Sequence, residues 1–592
     1  MANRNTVWAS IFVDELARCG LKTVCAAPGS RHTPLMLAVA KHPDIKVYSH
    51  LDERSASFFA LGLALASNKP VALICTSGTA GANMYPAIIE AHQSRVPLIV
   101  ITADRPPELR HSGANQTIDQ IKMFGDFVLW FVDMALPEAN PPAVAIRNLR
   151  TTANRAYAKA NGIRKGVVHL NMPFRKPLEP TEVEGDIVEV PLGAEAREGG
   201  RSFAGRSLGL PSMISGNWIR DIVHEYNNGF IIAGRRVNQR DGGYGLLDLS
   251  KVTGYPLIAD IDYKLVSVLK DVPKPIRGFE TFGSYLNNLI QPPDAVIRIG
   301  DLPLSAQLNN YITTHPPKFY LHITESGGWS DDSHLVTAFA INTEQWAVNK
   351  FLERGEYELQ PKREIHPIYA IEQTTWETIN HEIETGQYFD GAVVYDVVDL
   401  IPAESTLFAG NSLPVRHLDQ FGKPQDKRIY TYANRGASGI DGNISSALGA
   451  GAARPNKPLV AILGDITFYH DMNGLLAVQR CGVPITIVLL NNGGGGIFNR
   501  LPIRDFEPEF TDYFLTPHGL DFSHTAKMYG LDFVSIDAYS KGARDSFRQA
   551  FTERVSSDKS TIIEVRTNSR QDEVRRQEII AAVHARLQEL KL

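Results

Sequence analysis

Cysteine is scarce. The 592 residues hold four, Cys19, Cys25, Cys75 and Cys481, and no two stand in CxxC spacing. That excludes a disulfide framework or a zinc ribbon, and the four read as small buried apolar residues of a reducing compartment. Long hydrophobic runs are also lacking. VPLIVITA and VPITIVLL are the longest, far too short to span a bilayer. Neither charge sign dominates: 60 Lys and Arg face 65 Asp and Glu, for a net charge of −5. No basic surplus points to nucleic acid or to an anionic membrane surface. The N-terminal stretch does not read as a secretory leader either. Asp14 and Glu15 interrupt the apolar run of MANRNTVWASIFVDELARCG, which predicts an amphipathic first helix and a cytoplasmic protein. No tandem repeat is visible.

What remains is ordinary globular composition, 43% hydrophobic and 21% charged. The length allows roughly three to four domains. Residues 1–180 alternate strand-like runs (KTVCAAP, IKVYSHL, PVALICT, VPLIVITA, GVVHLNMP) with helical stretches (HTPLMLAVAKH, RSASFFALGLALAS, GANMYPAIIEAHQSR). That alternation predicts a doubly wound α/β domain with a parallel sheet. Residues 181–212 read as a linker rich in Pro, Gly and charge. Residues 213–360 form a second α/β region, with strands GFIIAGRR, YPLIADI, AVIRIGD and FYLHIT. Residues 361–592 form a third, with STLFAGN, RIYTYAN, PLVAILGD, ITIVLLNN and STIIEVRT, closed by a charged helix from Gln571. The GGYG at 242–245 lacks the full G-x-G-x-x-G order and reads as a turn.

The chemistry concentrates at strand ends. Asp465 ends one apolar run, and Asn491 and Asn492 end the next, followed by four glycines. A crossover of helical length between them puts a carboxylate, a carboxamide and a flexible backbone on one edge of a parallel sheet. Hard oxygen ligands grouped there suit Mg²⁺ bound to a diphosphate, with a helix starting near Thr467 offering free N–H groups. The plainer alternative is an aspartate capping the next helix before a glycine-rich turn. Glu53 opens a strongly apolar helix, where a carboxylate either favours the helix dipole or serves a heterocycle nitrogen. The turns PGSRHTP, TSGTAGAN and TADRPPELRHSGANQ stand where open α/β sheets bind ligands, although turn chemistry favours the same residue types. Arg31, Arg105, Arg416 and Arg435 on four such turns suggest bidentate recognition of carboxylates.

The GD…NN arrangement, with a glutamate in an N-terminal α/β domain and a central α/β spacer, resembles thiamine-diphosphate-dependent enzymes. PGSR, SHLDERSASFFALGLA, TSGTA, TADRPPEL, SGANQ and NRGASGIDG make the chain similar to the 2-succinyl-5-enolpyruvyl-6-hydroxy-3-cyclohexene-1-carboxylate synthase (MenD) family over both outer domains. The resemblance implies a thiamine-diphosphate-dependent transferase with three doubly wound domains of that enzyme type. It implies decarboxylation of 2-oxoglutarate and addition of the succinyl unit to isochorismate, in menaquinone or phylloquinone biosynthesis. It assigns Glu53 to the aminopyrimidine nitrogen of thiamine diphosphate. It assigns Asp465, Asn492 and the Gly494 carbonyl to Mg²⁺, or to Mn²⁺ in its place. Ser412, Ile440, Ile466 and Ile497 would contact the cofactor. Ser30, Arg31, Arg105, Asn115, Gln116, Arg416, Arg435, Phe498 and Leu501 would bind the two dicarboxylate substrates. Glu53 and Asp465 lie on different domains, and in this superfamily they come from two subunits, which implies a homodimer or homotetramer. The family's basic pair in the central domain is replaced by Ala306 and Gln307. The alternatives are a carboligase of the acetolactate-synthase type acting on small 2-oxo acids, which would need fewer cations, and a catalytically silent cofactor-binding relative.

Overall fold

Three parallel sheets carry the chain, and the strand runs read from the sequence place most of their members. The computed structural model describes residues 3–186, 190–204, 222–235, 244–261, 274–343 and 366–590. The first sheet holds β1 (Thr23–Ala26), β2 (Lys46–Ser49), β3 (Val71–Cys75), β4 (Leu98–Asp104), β5 (Trp130–Asp133) and β6 (Val167–Pro173). Its order is β2-β1-β3-β4-β6-β5. The central sheet holds β7 (Gly229–Ala233), β8 (Leu257–Ala259), β9 (Ala295–Ile299), β10 (Phe319–Thr324) and β11 (Ala338–Ile341), ordered β11-β10-β9-β7-β8. The third holds β12 (Thr406–Ala409), β13 (Tyr430–Tyr432), β14 (Leu459–Gly464), β15 (Thr486–Asn491), β16 (Asp532–Asp537) and β17 (Thr561–Arg566), ordered β13-β12-β14-β15-β17-β16. Counted from each sheet's own first strand, the outer two share one order, so corresponding turns carry corresponding positions. All pairings are parallel. The central strands β3, β4, β6, β7, β9 and β15 are buried almost throughout, as sheets covered on both faces require.

The chain divides into two compact units. The first comprises Met1–Leu208 with Asn434–Asn456 and Tyr469–Pro484; the second comprises Gly209–Ala433, Lys457–Phe468 and Ile485–Leu592. The first unit therefore gathers two segments from the last third of the sequence. One supplies the helix Asn443–Ala452, which packs along the helix Glu53–Ser67. Glycines allow the approach: a Cβ on Gly62 would lie 1.9 Å from the Ser446 carbonyl oxygen, and one on Gly449 would lie 2.0 Å from that of Phe59. Ser446 Oγ also donates to the Phe58 carbonyl at 3.1 Å. Gly62→Ala is expected to force these backbones apart, costing about 1–3 kcal/mol. Thermal denaturation followed by circular dichroism should show a lowered midpoint; an unchanged midpoint would mean that the contact is looser than described.

Several expectations need correction. The helix expected near Thr467 starts at Asp465 and ends at His470, and the crossover to β15 continues through a 3₁₀ turn, Met472–Leu475, and a helix Leu476–Cys481. The single helix expected over 81–95 is two, Thr79–Asn83 and Tyr85–Gln93, with Met84 at the junction before Pro86. Strands β5, β11 and β16 and the helix Ala143–Ala160 carry no sequence-level expectation. In the GGYG stretch, Tyr244 and Gly245 begin the helix Tyr244–Thr253, and its first two glycines lie outside the described residues.

Candidate active site

In the first unit, four turns follow the carboxyl ends of β1 to β4. Parallel pairing aligns those ends, Ala26 opposite Ser49 and Ile74. After β2, Asp52 caps the helix that Glu53 opens, accepting from Arg54 N at 2.8 Å. Residues 55–64 of that helix are buried, while Glu53 itself is half-buried. Desolvation is the main reason its carboxyl pKa is raised; its backbone hydrogen bond lowers it in part, and the Asp52 charge raises it further.

After β1, the buried Arg31 donates Nη1 to the Phe174 carbonyl at 2.8 Å. After β4, Arg105 N donates to Asp104 Oδ1 at 2.7 Å. Burial lowers the pKa of both guanidiniums, and Arg105 lowers that of Arg31 further, so two cations stand near one another with Asp104 as counter-charge. Arg31 Nε and Arg105 Nη1 are buried and find no hydrogen-bond partner among the described residues. A cationic pair with spare donors suits an incoming carboxylate. Ser30 and Asn115 are exposed on the same turns. Gln116, in the left-handed region at φ 56°, donates Nε2 to the Ser77 carbonyl at 3.0 Å. Gln120, which sequence reasoning missed, is buried and joins the turns: its Oε1 accepts from Gly78 N at 2.9 Å and its Nε2 donates to the Ala103 carbonyl at 3.2 Å. Arg435 and Ile440 also belong to this unit, on the loop after β13.

In the second unit, Gly464 pairs with Leu490, so Asp465 and Asn491 leave neighbouring strands side by side. Asp465 is buried; its Oδ1 accepts from Ile466 N at 2.7 Å and its Oδ2 from Gly494 N at 2.9 Å. The two asparagines at the end of β15 have different surroundings. Asn491 Nδ2 is committed to Glu564 on β17 at 2.8 Å. Asn492 Oδ1, by contrast, is buried with no donor among the described residues. An orphaned carbonyl oxygen beside a buried carboxylate is what a hard cation completes. Gly494 sits at φ 144°, and a Cβ there would lie 2.1 Å from the Leu515 carbonyl oxygen, so only glycine fits. Its own carbonyl accepts from Gly496 N at 2.9 Å, which leaves one lone pair for a ligand. Among the described residues no cluster of three His, Cys, Asp or Glu side chains could hold a metal. The set here is one carboxylate, one amide and one backbone carbonyl, which suits an ion that keeps phosphate and water oxygens.

His518, a residue without a sequence signal, stands 3.2 Å from Asp465 Oδ2, and that carboxylate raises its pKa. Ile466 and Ile497 are half-buried, Phe498 meets Phe514 edge-on with centroids 5.5 Å apart, and Leu501 is exposed. Ser412, at φ 73°, precedes the helix Leu413–Phe421, and Arg416 Nη1 folds back onto its carbonyl at 2.7 Å. Burial lowers the Arg416 pKa, opposed by the charges of Glu280 and Asp419. Ala306 and Gln307 begin a helix capped by Ser305, and Glu280 Oε2 accepts from Ser305 Oγ at 2.8 Å and Gln307 N at 3.1 Å. The start of that helix therefore meets a carboxylate. Burial, with Glu280 and Asp260 adding to it, holds Asp419 well above the usual carboxylate range.

Comparison with known proteins follows this geometry. A family described as thiamine pyrophosphate enzyme, N-terminal TPP binding domain, matches residues 7–123, and the corresponding C-terminal TPP binding domain matches residues 416–565. A solved structure, benzoylformate decarboxylase from Polynucleobacter necessarius, superposes with a TM-score of 0.66 at 18% identity, over 96% of this chain and 99% of that one. It shows the shared fold. The 2-succinyl-5-enolpyruvyl-6-hydroxy-3-cyclohexene-1-carboxylate synthase of Roseiflexus sp. (strain RS-1) is 53% identical over 99% of both chains. The protein of the same name from Roseiflexus castenholzii is 53% identical over 99% of this chain and 100% of its own. That from Haloarcula marismortui is 44% identical over 95% of each. The chain belongs to the 2-succinyl-5-enolpyruvyl-6-hydroxy-3-cyclohexene-1-carboxylate synthase family of thiamine-diphosphate enzymes.

Proposed function

We propose that this protein is a transferase of menaquinone biosynthesis that joins the succinyl unit of 2-oxoglutarate, with loss of CO₂, to isochorismate. The observation that carries the reading is the 53% identity to synthases of that name over 99% of the chain. Thiamine diphosphate, when bound, supplies the carbanion chemistry; the protein supplies orientation and electrostatics. Glu53 holds a proton at its carboxyl for the aminopyrimidine nitrogen, a role its raised pKa supports. Asp465, Asn492 Oδ1 and the Gly494 carbonyl hold Mg²⁺, or Mn²⁺ in its place, against the diphosphate. Ile440, Ile466, Ile497 and Ser412 line the cofactor. Arg31, Arg105, Arg416 and Arg435 take the substrate carboxylates, with Ser30, Asn115 and Gln116 beside them, and Phe498 and Leu501 form an apolar wall.

In this reading residues 1–180 bind the pyrimidine end, 213–360 form the central spacer after the linker at 181–212, and 361–592 bind the diphosphate and metal. We further infer a homo-oligomer in which a second copy completes each site. Large apolar side chains lie exposed beside both halves, Leu51 and Tyr469 in the first unit and Leu501, Phe506 and Tyr513 in the second, as surfaces awaiting a partner do. No described helix is long and apolar enough to cross a membrane; a cytoplasmic location accords with that and with the cysteine usage.

The test is a donor–acceptor assay. Protein supplied with Mg²⁺ and thiamine diphosphate should consume 2-oxoglutarate rapidly only when isochorismate is present. Equal turnover with pyruvate as donor would sink the assignment and favour the acetolactate-synthase type.

A further inference from the structure

Arg435 and Ile440 face opposite tasks, a substrate carboxylate and the cofactor, from a single short loop. What fixes that loop is a carboxylate from another domain of the sequence. Glu90 lies on the helix Tyr85–Gln93 and is 3% exposed. Its Oε1 accepts from Gly436 N at 2.6 Å and from Ser94 Oγ at 2.5 Å. Its Oε2 accepts from Ala437 N at 2.7 Å and Ser438 N at 3.1 Å. Three successive backbone donors and a hydroxyl thus converge on one buried carboxylate. The loop between Arg435 and Ile440 makes no strand or helix of its own, so these N–H groups have no ladder to join.

The loop is shaped to that grip. A Cβ on Gly436 would lie 2.7 Å from both the Glu90 carbonyl oxygen and Ser94 Oγ, so backbone and helix touch directly. Ser438 is held at φ 63°, a left-handed conformation that a non-glycine residue keeps only when its surroundings impose it. Successive N–H groups curled around an anion form a nest, here filled by a side chain. All the residues belong to the first unit.

We propose that Glu90 is a positioning residue for the reaction: its carboxylate sets the loop Gly436–Ser438 and thereby the register of Arg435 on one side and Ile440 on the other. The inference rests on the synthase reading for what Arg435 and Ile440 do, but the clamp itself does not. Glu90→Gln keeps the volume and one acceptor oxygen, while its amide group confronts donors with donors. Leaving buried N–H groups unmatched should raise the KM for a dicarboxylate substrate about ten-fold or more. Glu90→Asp keeps the charge but retracts it by one methylene and should restore activity only in part. Ser94→Ala removes one donor from Oε1 and leaves the three amides held; it should stay near wild type.

Two measurements decide. Hydrogen–deuterium exchange of the Glu90→Gln protein, with and without thiamine diphosphate, should rise in peptides covering 434–442 and stay unchanged in the helix Glu53–Ser67. Steady-state kinetics should show a rise in KM for 2-oxoglutarate or isochorismate larger than the fall in kcat, with only a small fall in melting midpoint. Unchanged exchange at 434–442 would overturn the clamp. Exchange raised throughout the unit, with a strongly lowered midpoint and equal loss of all kinetic constants, would also overturn the proposal, since Glu90 would then serve folding alone. If wild-type protein fails to turn over these substrates, the synthase reading fails, and the exchange experiment still tests the clamp.

Discussion

Glu53→Gln should bind thiamine diphosphate and lose turnover by about 10²–10⁴-fold, the range that a positioned acid or base contributes. Glutamine matches the shape and can still donate an N–H, so binding survives, but it can neither release nor regain a proton. Desolvation raises the Glu53 pKa first, and the neighbouring Asp52 charge adds to it. The folded state therefore holds the proton more tightly than the unfolded chain. Between the unfolded pKa and the raised folded one, stability falls as pH rises, because the native state binds more protons there. A neutral glutamine removes that cost. The variant is thus expected to melt no lower than wild type at neutral pH while being nearly inactive, a combination that separates chemistry from folding. Parallel calorimetry for cofactor binding and a continuous assay for turnover check it. Retained turnover would refute the role; lost cofactor binding would mean that Glu53 anchors rather than reacts.

Glu53 stood out in the sequence because an acidic pair precedes a run too apolar for a surface helix, while its assignment to the aminopyrimidine nitrogen came from the family resemblance alone. Sheet-forming runs were legible for the same reason. The strands that escaped notice share one property. Strands β5, β11 and β16 each lie at the edge of their sheet, and few of their residues are buried. An edge strand faces solvent along part of its length, so it shows no continuous apolar run. The relation between the outer sheets was equally hidden. Their common strand order places Arg105 after the fourth strand of one and Asn492 after the fourth of the other, and Ser77 and Asp465 after the third. In the proposed reading the same edge positions would carry substrate-binding arginines in one sheet and metal ligands in the other, with no residue identity left to reveal it.

Long-range pairing was beyond reach of the sequence in a stricter sense. Glu90 looks like any mid-helix glutamate, and nothing local says that its carboxylate meets amides 346 to 348 residues away. Ala306 and Gln307 were visible as departures from the family pattern, but their meaning was not. Only the fold brings Glu280 to that helix start and places its charge, with that of Asp419, near Arg416. If Arg416 takes a substrate carboxylate as proposed, these acids should hold it in place while leaving it able to exchange partners.

Asp465→Ala should weaken magnesium-dependent cofactor binding by more than about a hundred-fold, since even partners one step removed from a metal cost 10–100-fold when lost. The aspartate does two things at once. In the proposed reading its charge faces the cation, and its two oxygens accept from Ile466 N and Gly494 N, which shape the glycine turn. Asp465→Asn separates them: one acceptor oxygen remains for the turn while the charge is gone. If charge dominates, Asp465→Asn should lose nearly as much metal affinity as Asp465→Ala; if turn shape dominates, it should recover most of it. The two asparagines supply the internal control. Asn492→Ala removes the orphaned carbonyl and should cost metal affinity with little loss of stability. Asn491→Ala breaks the bond to Glu564 and should cost stability with little loss of metal affinity. Titration of Mg²⁺ at saturating thiamine diphosphate, with melting curves on the same samples, reads both. A larger metal defect in Asn491→Ala than in Asn492→Ala would overturn the ligand assignment, because Asn491 Nδ2 is tied to Glu564 and its Oδ1 accepts from Gly493 N, while Asn492 Oδ1 is buried with no donor among the described residues.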